Sequence, residues 1–302
     1  MPPWCTVLPC TEASDTPGLH RGLEFAVPSH RRELQTQVST SVGQLSALAN
    51  IAVSHIVLDS GTYYLTAELS ITRSVILEAA AGATVTLNAQ ASSSSQRRVL
   101  YIAPGSLGIV QLIRLNITGG YVDLGCNSAC MPACCGGGGV LIDGGTVALS
   151  SCTITGNTFQ GGEGGGVYVR AGTVTLSSCT ITGNTATFVY ARGQGGFGGG
   201  VSISLSETSS VTLSSCTITG NSAALSGGGV SISGSGTVTL SSCIITGNSA
   251  YGIPGYWYGG GGVAVSTSEG TVAISSSNIS GNSVGNANSV RAHAQTFPWL
   301  LM

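Results

Sequence analysis

One phrase, SSCTITGN, governs what this chain can fold into, because it returns almost unchanged along the second half of the sequence. Aligned on the Val that opens each copy, the chain reads VALSSCTITGN from Val147, VTLSSCTITGN from Val174 and from Val211, VTLSSCIITGN from Val238 and VAISSSNISGN from Val272. A weaker copy, VQLIRLNITGG, starts at Val110. Each strong copy follows a Gly run and a short apolar segment: GGGVLID, GGGVYVR, GGGVSIS twice, and GGGVAVS. Val167 and Val169 alternate with Tyr168 and Arg170, and Val174 and Leu176 alternate with Thr173 and Thr175, which is the period of a β-strand with one apolar face. A unit of this size cannot bury that face alone. Stacked copies can, each strand pairing with its counterpart in the next unit, so the repeat predicts a parallel β-solenoid.

The spacings agree with that reading. From the first Val of a unit to its closing Asn the chain takes 17 steps (Val140 to Asn157, Val167 to Asn184), 18 (Val230 to Asn248), 19 (Val263 to Asn282) or 20 (Val201 to Asn221). From that Asn to the next unit it takes 10, 17, 9 and 15. A coil of nearly fixed length thus carries insertions of variable length at one corner.

The stretch GGGVYVRAGTVTLSSCTITGNTA resembles the right-handed parallel β-helix of the pectate-lyase-like superfamily. Within it, the stretch is similar to the polymorphic outer membrane protein repeat, with Ile154, Ile181, Ile218, Ile245 and Ile279 where that repeat carries Phe. The resemblance implies an all-β, single-stranded right-handed parallel β-helix over residues 32–290, between an N-terminal tail of residues 1–31 and a C-terminal tail of residues 291–302. RRELQTQVSTSVGQLSALAN places Leu34, Val38, Val42, Leu45 and Ala49 at helical spacing and resembles the amphipathic helix that caps such solenoids. HIVLDSGTYYL and SVILEAAAGATVTLNA read as the first coils.

Within SSCTITGN the two Ser are expected to make a bend, Cys and Ile to point inward, the two Thr outward, and Gly-Asn to turn the corner. Stacking then aligns Cys152, Cys179, Cys216 and Cys243, with Leu115 and Ser277 at the ends of the column. Neighbouring rungs lie roughly 4.8 Å apart, a separation a disulfide tolerates, but stacked side chains point alike. The expectation is a reduced structural ladder of small buried side chains. Asn157, Asn184, Asn221, Asn248 and Asn282 form a second structural ladder, bonding backbone at the turn and one another along the axis. The other six Cys are Cys5, Cys10 and the Cys126, Cys130, Cys134 and Cys135 of CNSACMPACC. They lack the paired C-x-x-C spacing of a zinc site and read as disulfide-bonded, which favours an oxidising, extracellular or cell-surface setting. The sequons Asn116-Ile117-Thr118 and Asn278-Ile279-Ser280 point the same way.

Charge excludes several functions. Only 7% of residues are charged, the net charge is −2, and there is no Lys beside ten Arg, so nothing attracts nucleic acid or anionic lipid. No apolar run approaches the roughly 20 residues of a membrane span. The opening MPPWCTVLPCTEASDTPG shows no signal peptide, and its crowded prolines raise the expectation of an incomplete N-terminus.

The superfamily resemblance implies that an enzyme of this fold gathers carboxylates on one outer face, to hold Ca²⁺ in a lyase or to act as acid and base in a hydrolase. The repeats and their loops offer Asp123, Asp143, Glu163, Glu207 and Glu269 alone. Asp143 and Arg170 fall in one outward column as an expected surface ion pair. They are also the catalytic candidates of the enzyme alternative, with Arg170 as base. Apart from Ca²⁺ in that lyase alternative, no metal or cofactor is expected. The corner insertions carry Phe188, Tyr190, Arg192 and Phe197 in one, and Tyr251, Tyr256, Trp257 and Tyr258 in another. Rings in loops on a rigid scaffold are platforms for sugar rings, or else a cover for the Gly-rich corner.

Thr153 and Thr155, Thr180 and Thr182, and Thr217 and Thr219 make a regular outward array that resembles the face of ice-binding solenoids. The function expected is therefore a non-catalytic surface protein binding a polysaccharide or surface glycoprotein through its aromatic corner loops. A polysaccharide lyase or glycoside hydrolase is the alternative, and an ice-binding solenoid the second. Little sequence follows the last repeat to cover its edge, so end-to-end self-association or a further continuation is expected there.

Overall fold

A computed structural model of the chain describes residues 35–38, 52–123, 136–187, 195–252, 259–267 and 269–285, the first of these as backbone alone. The named strands among them pair only in parallel, in three sheets of 14, 8 and 6 strands. One coil shows the plan. Val167–Ser177 runs in the first sheet, Thr180–Thr182 in the second and Thr185–Thr187 in the third. Register follows the repeat letter for letter. Leu149, Leu176, Leu213, Leu240 and Ile274 are successive partners. So are Ile117, Ile154, Ile181, Ile218, Ile245 and Ile279.

These columns fill the interior. Leu149, Leu176, Leu213 and Leu240 have no exposed surface, and each such side chain is worth about 1.5–3 kcal/mol in removal from water. The last described coil has no successor among the described residues, so its inward residues are only partly covered: Ile279 is 40% exposed where Ile245 is fully buried. Among the described residues no helix is long and apolar enough to cross a membrane.

Two details differ from the sequence-based expectation. Within the segment expected to form a capping helix, Gln35–Val38 is a strand, paired in parallel with His55–Leu58. The edge of the first coil presents unpaired backbone N–H and C=O groups, and strand addition satisfies a row of them, which a helix laid across the edge would not. Leu34, Val42, Leu45 and Ala49, like both tails, lie outside the described residues. The bend after the first sheet is made by the second Ser alone. Ser177 still pairs with Ser150 and Ser214 in the sheet, while Ser178 adopts the left-handed conformation at φ +53°. Ser151, Ser215, Ser242 and Ser276 do the same in their coils.

The Asn column lies at the next corner. The backbone N–H and the side-chain amide of Asn184 both donate to Oδ1 of Asn221, at 3.0 Å each. The amide also donates to the carbonyl of Ile154 at 2.9 Å. The pattern repeats from Asn157 to Asn282. The last Gly of each GGG triplet makes room for it: a Cβ on Gly166 would stand 3.0 Å from the Asn184 amide.

The four ladder cysteines are buried and free. Each S–H reaches a Leu carbonyl in the preceding coil at 3.4 Å: Leu112, Leu149, Leu176 and Leu213 in turn. Cys179 is pushed up to about 12 by donating to the Cys152 sulfur, and then by burial. Cys216 is pushed up to about 11 through the same relation to Cys179, and Cys243 is raised as well. Cys152, at the receiving end, is lowered by the hydrogen bond from Cys179, with burial opposing. Thiolate is the nucleophile, so Cys179, Cys216 and Cys243 are held unreactive by their raised pKa values and Cys152 by its burial alone: none of the four is expected to be alkylated by iodoacetamide at neutral pH in the native protein, and all four in denaturant. Peptide mass mapping checks this. Native-state labelling of Cys179 or Cys216 would contradict it.

Candidate functional site

The outer face of the first half of the first sheet carries a column of residues that point out of the coil and are nonetheless covered. Tyr101, Leu141, Tyr168, Ser202 and Ser231 are successive register partners there. Leu141, Tyr168, Ser202 and Ser231 are all buried. The cover is the Gly-rich corner, where Gly136, Glu163, Phe197 and Ser226 pair in parallel as isolated bridges. Its glycines rest on the column: a Cβ on Gly164 would stand 2.9 Å from Cβ of Tyr168, and one on Gly227 would stand 2.8 Å from Cα of Ser231. One turn of sequence thus explains both the Gly run and the polar residues beneath it.

Beside this column lies a polar chain that crosses several coils. Arg170 Nε donates to Asp143 Oδ1 at 2.7 Å and Arg170 Nη2 lies 2.6 Å from the same oxygen. The Tyr101 hydroxyl donates to Asp143 Oδ2 at 3.4 Å. The Arg98 guanidinium stands 6.0 Å from the centre of the Tyr101 ring, and Arg98 Nε lies 3.2 Å from Glu68 Oε2. Asp143 is not level with Arg170 as the repeat alignment implies. The register shifts at Asp143, whose strand partner is Ala171, and the long Arg170 side chain spans the bulge. Burial, and then the charge of Asp143, raise the Tyr101 phenol. Burial raises Glu68 against the opposing pull of Arg98.

A separate carboxyl sits at the corner. Glu163 Oε2 accepts from Ser202 Oγ at 3.0 Å, and burial raises Glu163 above the ordinary carboxylate range against that hydrogen bond. Among the described residues no three of His, Cys, Asp and Glu converge as a metal site.

Of the aromatic candidates, Phe197 is half-buried next to Glu163 in the bridge ladder, and Tyr251 is 69% exposed. Phe188, Tyr190, Arg192, Tyr256, Trp257 and Tyr258 lie outside the described residues. The described ends of their segments, Thr187 with Gly195 and Gly252 with Gly259, all fall between a third-sheet strand and the next first-sheet strand. So do Asp123 and Gly136, which flank the Cys126–Cys135 segment. The repeat did not reveal Glu68, Arg98, Tyr101 or the Glu163–Ser202 contact as site residues. Tyr101 could have been found by aligning RVLYIA with GGVLID.

On the second sheet, Thr153, Thr180 and Thr217 are register partners, as are Thr155, Thr182 and Thr219. Ile244, 48% exposed, interrupts the first of these columns.

Comparison with curated proteins and with solved structures finds no match. A family model described as the right-handed β-helix region matches residues 113–295, more than half of the chain. With its parallel sheets, in-register columns and corner insertions, the chain belongs to the right-handed β-helix family.

Proposed function

We propose that this protein is a non-catalytic extracellular or cell-surface module that binds a glycan, as a polysaccharide or on a surface glycoprotein, along the corner of the solenoid. Tyr251 carries the reading: it is a large ring, 69% exposed, held where strand Ser249–Ala250 ends. A ring fixed on a rigid scaffold stacks on a sugar face at little entropic cost.

Binding is favoured over chemistry because both oxygens of Asp143 are already engaged, one by Arg170 and one by Tyr101, and the nearest other carboxyl of the network is held by Arg98. The Tyr101–Asp143–Arg170 contact is also what supports the alternative reading of a lyase or hydrolase. The two readings separate in one experiment, in which retention on a panel of acidic, neutral and amino polysaccharides is scored together with release of new chain ends. Retention without release is expected. Tyr251→Ala should weaken it about tenfold, from the roughly 1.5 kcal/mol of a stacked ring, while Asp143→Asn leaves it within about twofold. Chain-end release that survives Tyr251→Ala and disappears in Asp143→Asn would replace the binding reading with the enzymatic one.

A further inference from the structure

Glu163 is partly buried, enough to raise its carboxyl, yet no cation accompanies it among the described residues. The ion pairs among the described residues are Asp143 with Arg170, Glu68 with Arg98, and Glu78 with His55 and Arg114. The side chain of Glu163 has a single hydrogen bond, from Ser202, and its Oε1 accepts none among the described residues. A desolvated carboxylate without a cation is costly, and acids displaced in this way concentrate at functional sites. Glu163 is not sealed off, being of intermediate exposure. Its register partner on the following coil is Phe197, so the two side chains leave the corner on the same side, roughly 4.8 Å apart. A carboxylate beside an aromatic ring is the combination that holds an ammonium group, by a charge-assisted hydrogen bond and the face of the ring.

We propose that Glu163, with Ser202 and Phe197, is a subsite for a protonated primary amine, and that the glycan bound at this corner contains unacetylated amino sugar. The ammonium donates to the free Oε1 while Ser202 keeps Oε2, so the subsite closes without displacing an existing contact. This assignment rests on the glycan-binding reading and specifies its ligand class.

Calorimetric titration of the full chain with hexaglucosamine and with its fully N-acetylated counterpart, under conditions where the free amines are protonated, tests it. Hexaglucosamine is expected to bind about tenfold more tightly or better, the effect of one charge-assisted hydrogen bond. Glu163→Gln, which keeps the shape and the acceptor for Ser202, should bring the two oligomers to parity and leave the N-acetylated affinity unchanged. Glu207→Gln removes the same charge from an exposed position and should preserve the preference, separating the subsite from general attraction of a polycation. Equal affinities in the wild-type protein, or a preference that survives Glu163→Gln, would overturn the subsite alone. Failure of every saccharide, neutral ones included, to bind would overturn the glycan reading with it.

Discussion

Asn221→Ala is expected to destabilise the protein by about 3–5 kcal/mol, far more than the loss of a side chain this size usually costs. Oδ1 of Asn221 accepts from the backbone N–H and the side-chain amide of Asn184, at 3.0 Å each. Its own amide donates to the carbonyls of Ile181 and Thr219 and to Oδ1 of Asn248, at 2.9, 3.2 and 3.0 Å. Asn221 is 1% exposed and its neighbour Asn184 fully buried, so water replaces none of these partners. After truncation the Asn184 amide keeps the carbonyls of Ile154 and Thr182, but the Asn184 backbone N–H is left buried without an acceptor. Asn221→Asp preserves that acceptor and sets an oxygen against three other oxygens, so it should be no better tolerated. Asn282, in the last described coil, is the internal control: it is partly exposed, no further ladder Asn follows it among the described residues, and Asn282→Ala should cost about 1 kcal/mol. Urea unfolding of the three variants measures this. A loss under about 1 kcal/mol in Asn221→Ala would show that the ladder aligns the coils without stabilising them.

The parts of the molecule that were legible in the sequence are those where sequence alignment and spatial register are the same thing. In parallel in-register pairing, residues in one column of the alignment touch in the fold, so Leu176 over Leu213 and Ile181 over Ile218 needed no three-dimensional information. The capping helix is not confirmed, and Gln35–Val38 within it is a strand, because apolar residues at helical spacing are a statement about one segment. The pairing of Gln35–Val38 depends on what the first coil leaves open. Glu163 was legible as an acid but its contact with Ser202 was not: Glu163 stands among single bridged corner residues with no common letter, and Ser202 lies on a strand of the following coil. Tyr101 and Arg98 were missed because their coil departs from the repeated phrase, although Tyr101 holds the register position of Leu141 and Tyr168. Most of the aromatic candidates occupy insertions, to which the repeat alignment assigns no register, whereas Tyr251 directly follows a repeat strand and donates its N–H to the carbonyl of Ala223.

The same logic separates two glycines of one coil that look equivalent in sequence. A Cβ on Gly165 would lie 2.5 Å from the carbonyl oxygen of Gly199 in the next coil and 2.5 Å from both C and O of Thr185. All three are backbone atoms fixed by the sheets and the ladder, so no rotamer relieves the clash. Gly165→Ala is therefore expected to cost about 3–5 kcal/mol by forcing adjacent coils apart. Gly183, just before Asn184, sits at φ +62°, but a Cβ there would meet only Thr155 Oγ1, at 3.9 Å. Gly183→Ala pays for the left-handed backbone alone, about 1–2 kcal/mol, and Ser178 shows that this coil already carries a non-glycine residue in that conformation. Because a solenoid is held together by contacts between neighbouring units, the Gly165 defect should also weaken the coupling of the coils on either side. Denaturant unfolding of Gly165→Ala should accordingly show a lower midpoint with a reduced slope or two separate transitions, whereas Gly183→Ala shifts the midpoint at unchanged slope. Equal costs for the two substitutions would mean that the corner yields to a methyl group, and that the Gly run is kept for its backbone conformation instead of for close approach between coils.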